Sequence, residues 1–244
     1  PTGRMVRDQL KGMADLERIA ARVALKTARP RDLAGLRDSL ARLPDLAGIL
    51  ESAGETLESL ARPMVFPDEP RARLRRAIQA EPAAVLREGG VIADGYDPEL
   101  DELRALQSDC GGYLMAMEAR ERERTGIANL RVEYNKVSGF YIEVSRAQAD
   151  KVPADYHRRQ TLKNVERYLT PELKAFEDRF LSASERALAR EKLLYDELLE
   201  ALSAVVVDLQ RVAEAVATTD VLAGHALLAT ERRYVAPEFS PEWG

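Results

Sequence analysis

Apolar positions recur every three or four residues over most of this chain, and the rhythm breaks into strict alternation in only one region. Met13, Leu16, Ile19 and Val23 predict an amphipathic helix within residues 5–28. Pro30 punctuates it, and Leu33, Leu36, Leu40 and Leu43 predict a second helix that stops before Pro44. Helical signal resumes over 46–61. Pro63, Pro67 and Pro70 then make 62–70 a connector, followed by a short helix around Leu74 and Ile78. Gly89-Gly90 and Gly95 bracket Val91-Ile92, which reads as a loop with a short extended piece.

Two helix starts carry nearly the same signal. Asp97-Pro98-Glu99-Leu100 and Thr170-Pro171-Glu172-Leu173 each place an N-cap oxygen before a first-turn proline and a carboxylate at the positive end of the helix dipole. The first opens an outgoing helix, 98–125, with Leu103, Leu106, Cys110, Leu114 and Met117 on one stripe and Thr125-Gly126 as its stop. The second opens a long returning helix. Leu173, Phe176, Phe180, Ala183, Ala187 and Leu194, then Leu198, Leu202, Val205, Leu209, Val212 and Val216, keep a 3-4 rhythm typical of a bundle or coiled-coil seam. Unbroken from 171 to 216 it would be roughly 70 Å long, with Val205-Val206-Val207 and Gly224 as weak points. Carboxylates on these helices alternate with Lys and Arg, as in Glu118 to Arg124, and read as solvent-facing salt-bridge faces.

Residues 127–169, between the two helices, alternate apolar and polar. Leu130, Val132 and Tyr134 interleave with Arg131, Glu133 and Asn135; Phe140, Ile142 and Val144 interleave with Tyr141, Glu143 and Ser145. Asn135 to Gly139 supplies the turn of an antiparallel hairpin. After Pro153, Arg158 to Tyr168 resumes an extended pattern, which puts Arg159, Thr161 and Lys163 on one face and Gln160, Leu162 and Asn164 on the other. The fold class expected is mainly α: a long-helix bundle with an antiparallel arm pair carrying a small antiparallel β module at its tip.

Charge sharpens the picture. The whole chain carries a net charge of -5, yet 127–169 holds eight Lys/Arg against five Asp/Glu. Either this is a solvated polar face, or the tip meets a polyanion that the helices avoid. Arg158-Arg159-Gln160-Thr161-Leu162-Lys163-Asn164 is its densest set of side chains suited to phosphate oxygens, and a plain solvated strand is the alternative. Catalytic chemistry is hard to build. His157, expected at the surface, and His225, expected to be structural, lie in different elements. Gly90 and Gly95 have P-loop spacing but are followed by Tyr96-Asp97 rather than Lys-Ser/Thr. No catalytic residue, metal or cofactor is therefore expected in this stretch. The single cysteine, Cys110, excludes an internal disulfide, and a reduced, cytoplasmic compartment is expected. There is no run of 18 apolar residues, and no membrane partner is expected. With Pro1 first and Trp243-Gly244 last, the chain is expected to be a piece of something longer.

The hairpin Tyr134-Asn135…Gly139-Phe140-Tyr141-Ile142-Glu143-Val144 and the stretch Gln160-Thr161-Leu162-Lys163-Asn164…Arg167-Tyr168 resemble the clamp of the bacterial MutS DNA mismatch-repair proteins. Upstream, Asp15-Leu16-Glu17-Arg18-Ile19, Ala28-Arg29-Pro30-Arg31-Asp32-Leu33 and Gly90-Val91-Ile92 through Tyr96 resemble the lever that precedes it. The resemblance implies a lever over 1–110, a clamp over 111–170, and a returning lever helix and link over 171–244. It implies that the clamp grips double-stranded DNA by its backbone, without reading sequence, through Lys136, Arg158, Arg159, Thr161, Lys163, Asn164 and Arg167. The other partners implied are the ATPase, connector and mismatch-reading domains of the same protein, a second copy in a homodimer, and MutL. ATP and Mg belong to the ATPase, expected after about residue 240. No Phe-x-Glu occurs among the five phenylalanines, so the mismatch-reading wedge is expected outside this stretch. The rival reading is a structural coiled-coil scaffold whose tip binds a protein; salt-sensitive DNA binding separates the two.

Overall fold

The computed structural model describes residues 2–235; the expected link to an ATPase near residue 240 lies outside them. The chain divides into two compact units, residues 1–96 with 191–244, and residues 97–190. In chain order the elements are α1 (Thr2–Leu10), α2 (Leu16–Ala24), α3 (Pro30–Glu51), α4 (Glu55–Ala61), α5 (Asp68–Ala77), α6 (Pro98–Ser108), α7 (Cys110–Thr125), β1 (Arg131–Asn135), β2 (Gly139–Ser145), β3 (His157–Thr161), β4 (Val165–Leu169), α8 (Pro171–Ser203) and α9 (Val206–Arg232), with short 3-10 turns between some of them. The fold is mainly α with long helices and one small antiparallel sheet.

In the first unit, α2 packs on α9 and α3 on α4 and α1. The single helix expected over 5–28 is two. Gly12, at φ +82°, breaks it, and the Asp15 carboxylate restarts it by accepting the Arg18 N–H at 3.0 Å. Pro44 does not end α3 but lies inside it. An internal proline costs about 3 kcal/mol. Continuing the helix buries Leu46 and Leu50 completely, at about 1.5–3 kcal/mol each, and the burial wins. Val91-Ile92 is indeed extended, with Ile92 bridging Ile78. The seam residues Leu194, Leu198, Leu202, Leu209, Val212 and Val216 are all buried. The long helix nevertheless breaks at Ala204-Val205, within the weak point read from the sequence, so α8 and α9 are separate. By length and composition α9 could cross a membrane, but Leu209, Val212, Ala213 and Val216 are buried within this unit. His225 is exposed rather than structural.

In the second unit both caps form as expected. Asp97 Oδ1 accepts the Leu100 N–H at 2.9 Å and Thr170 Oγ1 the Leu173 N–H at 3.2 Å. The outgoing helix is split at Asp109 into α6 and α7, and its stripe is uneven: Leu103 and Met117 are buried, while Leu106 is exposed. Gly126, in the left-handed conformation, ends α7. The sheet order is β1-β2-β4-β3, every pair antiparallel. Its core is Leu130, Val132, Phe140, Ile142, Val144, Tyr156 and Tyr168, packed with Met117 of α7 and Leu173 of α8. Phe140 meets Phe176 and Phe180 edge-on at centroid distances of 5.4 and 5.3 Å, and Tyr113 stacks on Phe176 at 3.8 Å.

The expectation of one extended run from Arg158 to Tyr168 is corrected. Leu162, Lys163 and Asn164 form a turn, closed by the Leu162 N–H to the Val165 carbonyl at 2.9 Å, and β3 folds back on β4. A register shift between Arg158 and Gln160 also displaces Arg159 from simple alternation. The two proposed faces, Arg159/Thr161/Lys163 and Gln160/Leu162/Asn164, therefore do not exist as such. A turn of polar residues satisfies its backbone locally, and alternation alone cannot tell it from a strand.

Candidate nucleic-acid interface

The register shows where each candidate side chain falls. The β1–β2 turn, residues 136–138, follows the pair Asn135–Gly139. The β3–β4 turn, 162–164, lies beside the pair Ser145–Val165. The two turns are thus at opposite ends of β2, six residues or about 20 Å apart. Lys136 belongs to one end, and Lys163 and Asn164 to the other. All three are exposed, as is Thr161.

At the first end Asn135 shapes the turn: its Oδ1 accepts the Val137 and Ser138 N–H groups at 3.0 and 2.5 Å. Along the sheet between the ends, the arginines are taken up by carboxylates. Arg167 Nε donates to Glu143 Oε2 at 3.0 Å, and its Nη1 reaches Gln160 Oε1 at 3.3 Å and Ser138 Oγ at 3.4 Å. Its guanidinium lies 4.1 Å from the centroid of the Tyr141 ring. That contact explains why Tyr141, alternating as a polar-face residue, is buried. Arg158 pairs with the buried Glu166 at 3.2 Å, and the same carboxylate accepts the Tyr168 hydroxyl at 2.5 Å. Burial, then the hydrogen bond to Glu166, pushes the Tyr168 phenol up. Arg159 Nη1 donates to the Phe140 carbonyl at 3.1 Å and to the buried Glu177 of α8 at 3.3 Å.

At the second end Arg146, a residue the sequence reading passed over, joins the turn. Its backbone N–H donates to the Asn164 carbonyl at 3.0 Å and its Nη1 lies 3.5 Å from the Lys163 carbonyl. Its signal was available: it is the first residue after β2, hence beside whatever pairs with Ser145. Among the described residues, neither the Lys163 nor the Arg146 side chain forms a salt bridge.

The helices hold the sheet by carboxylates as well as by apolar contact. Glu118 of α7 accepts the Val132 N–H at 2.9 Å, and the buried Glu121 accepts the Tyr156 hydroxyl at 2.7 Å and Arg124 Nε at 2.9 Å. Glu121 and Glu177, with Glu191 in the other unit, overturn the reading of the helix carboxylates as solvent-facing. Sequence shows the alternation of acid and base, but not which strand lies across from each acid.

The sheet module between α7 and α8 thus carries exposed cations on its turns, Lys136 at one end and Lys163 with Arg146 at the other. Residues 95–186 match the family model of MutS family domain IV. This stretch is therefore similar to a domain of the MutS family of DNA mismatch-repair proteins, a domain that binds DNA and is not catalytic.

Proposed function

We propose that the β3–β4 end of the sheet carries the DNA contact: Lys163 and Arg146 pair with phosphates, Asn164 and Thr161 hydrogen-bond to phosphate oxygens, and no base edge is read. What carries this reading is the contrast within one sheet. Arg158, Arg159 and Arg167 are neutralised by Glu166, Glu177 and Glu143, whereas Lys163 and Arg146 keep their charge for an outside partner. Lys136, at the far end, would reach a different stretch of backbone. In the whole protein the clamp would couple DNA engagement to ATP turnover, with a second copy and MutL as further partners. The family likeness supports that role.

The test is a titration of Lys163→Ala and Arg146→Ala with duplex DNA at several salt concentrations. Each lost phosphate contact should lower the magnitude of the log–log salt slope by about 0.9. Homoduplex and G·T mismatch DNA should bind alike. An unchanged slope in both folded variants, or discrimination of the mismatch, would place the DNA surface elsewhere. DNA binding that is absent altogether would favour a protein-binding tip.

A further inference from the structure

Glu177 makes more contacts than a docking acid needs. Its side chain is buried on α8, yet it faces the sheet through one oxygen, Oε1, which accepts the Phe140 N–H at 3.2 Å and Arg159 Nη1 at 3.3 Å. The other oxygen takes Lys174 Nζ at 3.3 Å. Gly139 completes the fit: it sits at φ +69°, and a Cβ there would overlap Glu177 Oε1 and crowd the Arg159 guanidinium at 3.2–3.3 Å. Burial by itself would raise the Glu177 pKa; the Phe140 N–H, Lys174 and Arg159 outweigh it and hold the acid below the usual carboxylate range. The carboxylate is therefore charged at neutral pH. The Arg159 side chain keeps 38% of its surface open, so it stands at the surface while its charge is directed inward.

We infer that Glu177 is a positioning residue that withholds Arg159 from DNA and so limits how tightly the clamp grips any duplex. The inference rests on the reading that this sheet binds DNA backbone. Its chemistry is competition for one guanidinium. A phosphate must displace a buried carboxylate that cannot move away, because the Phe140 N–H and Lys174 hold it in place. Glu177→Gln keeps an acceptor for the Phe140 N–H and removes the charge that holds Arg159. Arg159, left with the neutral Phe140 carbonyl at 3.1 Å as its partner in place of a charge, then becomes one more phosphate contact.

The experiment uses the full chain and two readouts. The first is the salt slope of duplex binding. Glu177→Gln should steepen it by about 0.9, so its affinity falls about 3.5-fold further than that of the unsubstituted chain between 50 and 200 mM salt. Adding Arg159→Gln should remove that gain. A gain that survives in the double variant reports only the change of net charge and overturns the inference, as does no gain in Glu177→Gln. The second readout is arginine-specific labelling with phenylglyoxal, followed residue by residue by mass spectrometry. In the unsubstituted chain, DNA should protect Arg146 and leave the Arg159 rate unchanged; protection of Arg159 overturns the inference even if Glu177→Gln fails to fold. Without DNA, Arg159 should label several-fold faster in Glu177→Gln than in the unsubstituted chain, and equal rates overturn it. Failure of DNA to protect Arg146, with the faster Arg159 labelling still present, would instead remove the DNA reading and leave the sequestration standing.

Discussion

Glu191, in the first unit, offers the sharpest test of the physical reasoning. Its side chain is buried, and its carboxylate accepts three consecutive backbone N–H groups: Gly90 at 3.2 Å, Val91 at 2.6 Å and Ile92 at 2.7 Å. Gly89 and Gly90, both at positive φ, turn the chain so that these donors converge. Val91 and Ile92 are fully buried, so no water replaces the acid if it is removed. Glu191→Ala leaves those two donors unsatisfied at about 1–3 kcal/mol each, for an expected loss of about 4 kcal/mol; the Gly90 N–H is partly open to water and adds little. Glu191→Gln keeps the acceptor but not its charge. Hydrogen bonds to charged groups are worth about 1 kcal/mol more than neutral ones, so two of them predict a loss of about 2 kcal/mol. The assay is native-state hydrogen exchange at the Val91 and Ile92 amides, with urea unfolding alongside. A loss of about 4 kcal/mol corresponds to roughly a thousandfold fall in protection where these amides exchange through opening of this loop. If Glu191→Ala costs 1 kcal/mol or less and both amides stay protected, the buried carboxylate does not hold this loop.

Three further outcomes follow from the same geometry. Gly139→Ala should destabilise the second unit by more than the 1–2 kcal/mol of the left-handed backbone alone, because the new Cβ meets Glu177 Oε1; a urea midpoint at or above that of the unsubstituted chain would refute the close fit. Leu194→Asp puts a charge at a buried seam position and should cost several kcal/mol in urea unfolding; in the whole protein, if it folds, DNA-stimulated ATP turnover should fall relative to basal turnover, and fully retained stimulation would remove the seam from the signal path. Acid should weaken the fold. Asp97 is held below its ordinary pKa chiefly by Arg190. Asp32 and Glu177 are held low because their hydrogen bonds and ion pairs outweigh burial. Depressed carboxylates contribute stability that is fully present above the unfolded values, about 3.9 for Asp and 4.3 for Glu, and lost as pH falls through the lower folded ones. Urea midpoints should therefore be level near pH 6 and decline below about pH 4.5, and a flat profile down to pH 3 would contradict the assignment.

What local sequence determined here is whatever short-range physics decides. The caps at Asp97 and Thr170, the stop at Gly126 and the β1–β2 hairpin needed only residues within a few positions of each other, and all are where the sequence put them. The buried stripe from Leu194 to Val216 was equally legible, since one face of a helix is a matter of period. Tertiary structure decided everything that turns on partners distant in sequence. Pro44 stays inside α3 because Leu46 and Leu50 have a core to enter, and the chain turns at Leu162-Lys163-Asn164 because β4 is there to pair with β3. The same holds for charge. Arg158, Arg159, Lys163 and Arg167 are alike as sequence, a basic run suited to phosphate. Only the fold brings Glu166, Glu177 and Glu143 against three of them and leaves Lys163 facing outward, because an ion pair depends on distance through space and not on distance along the chain.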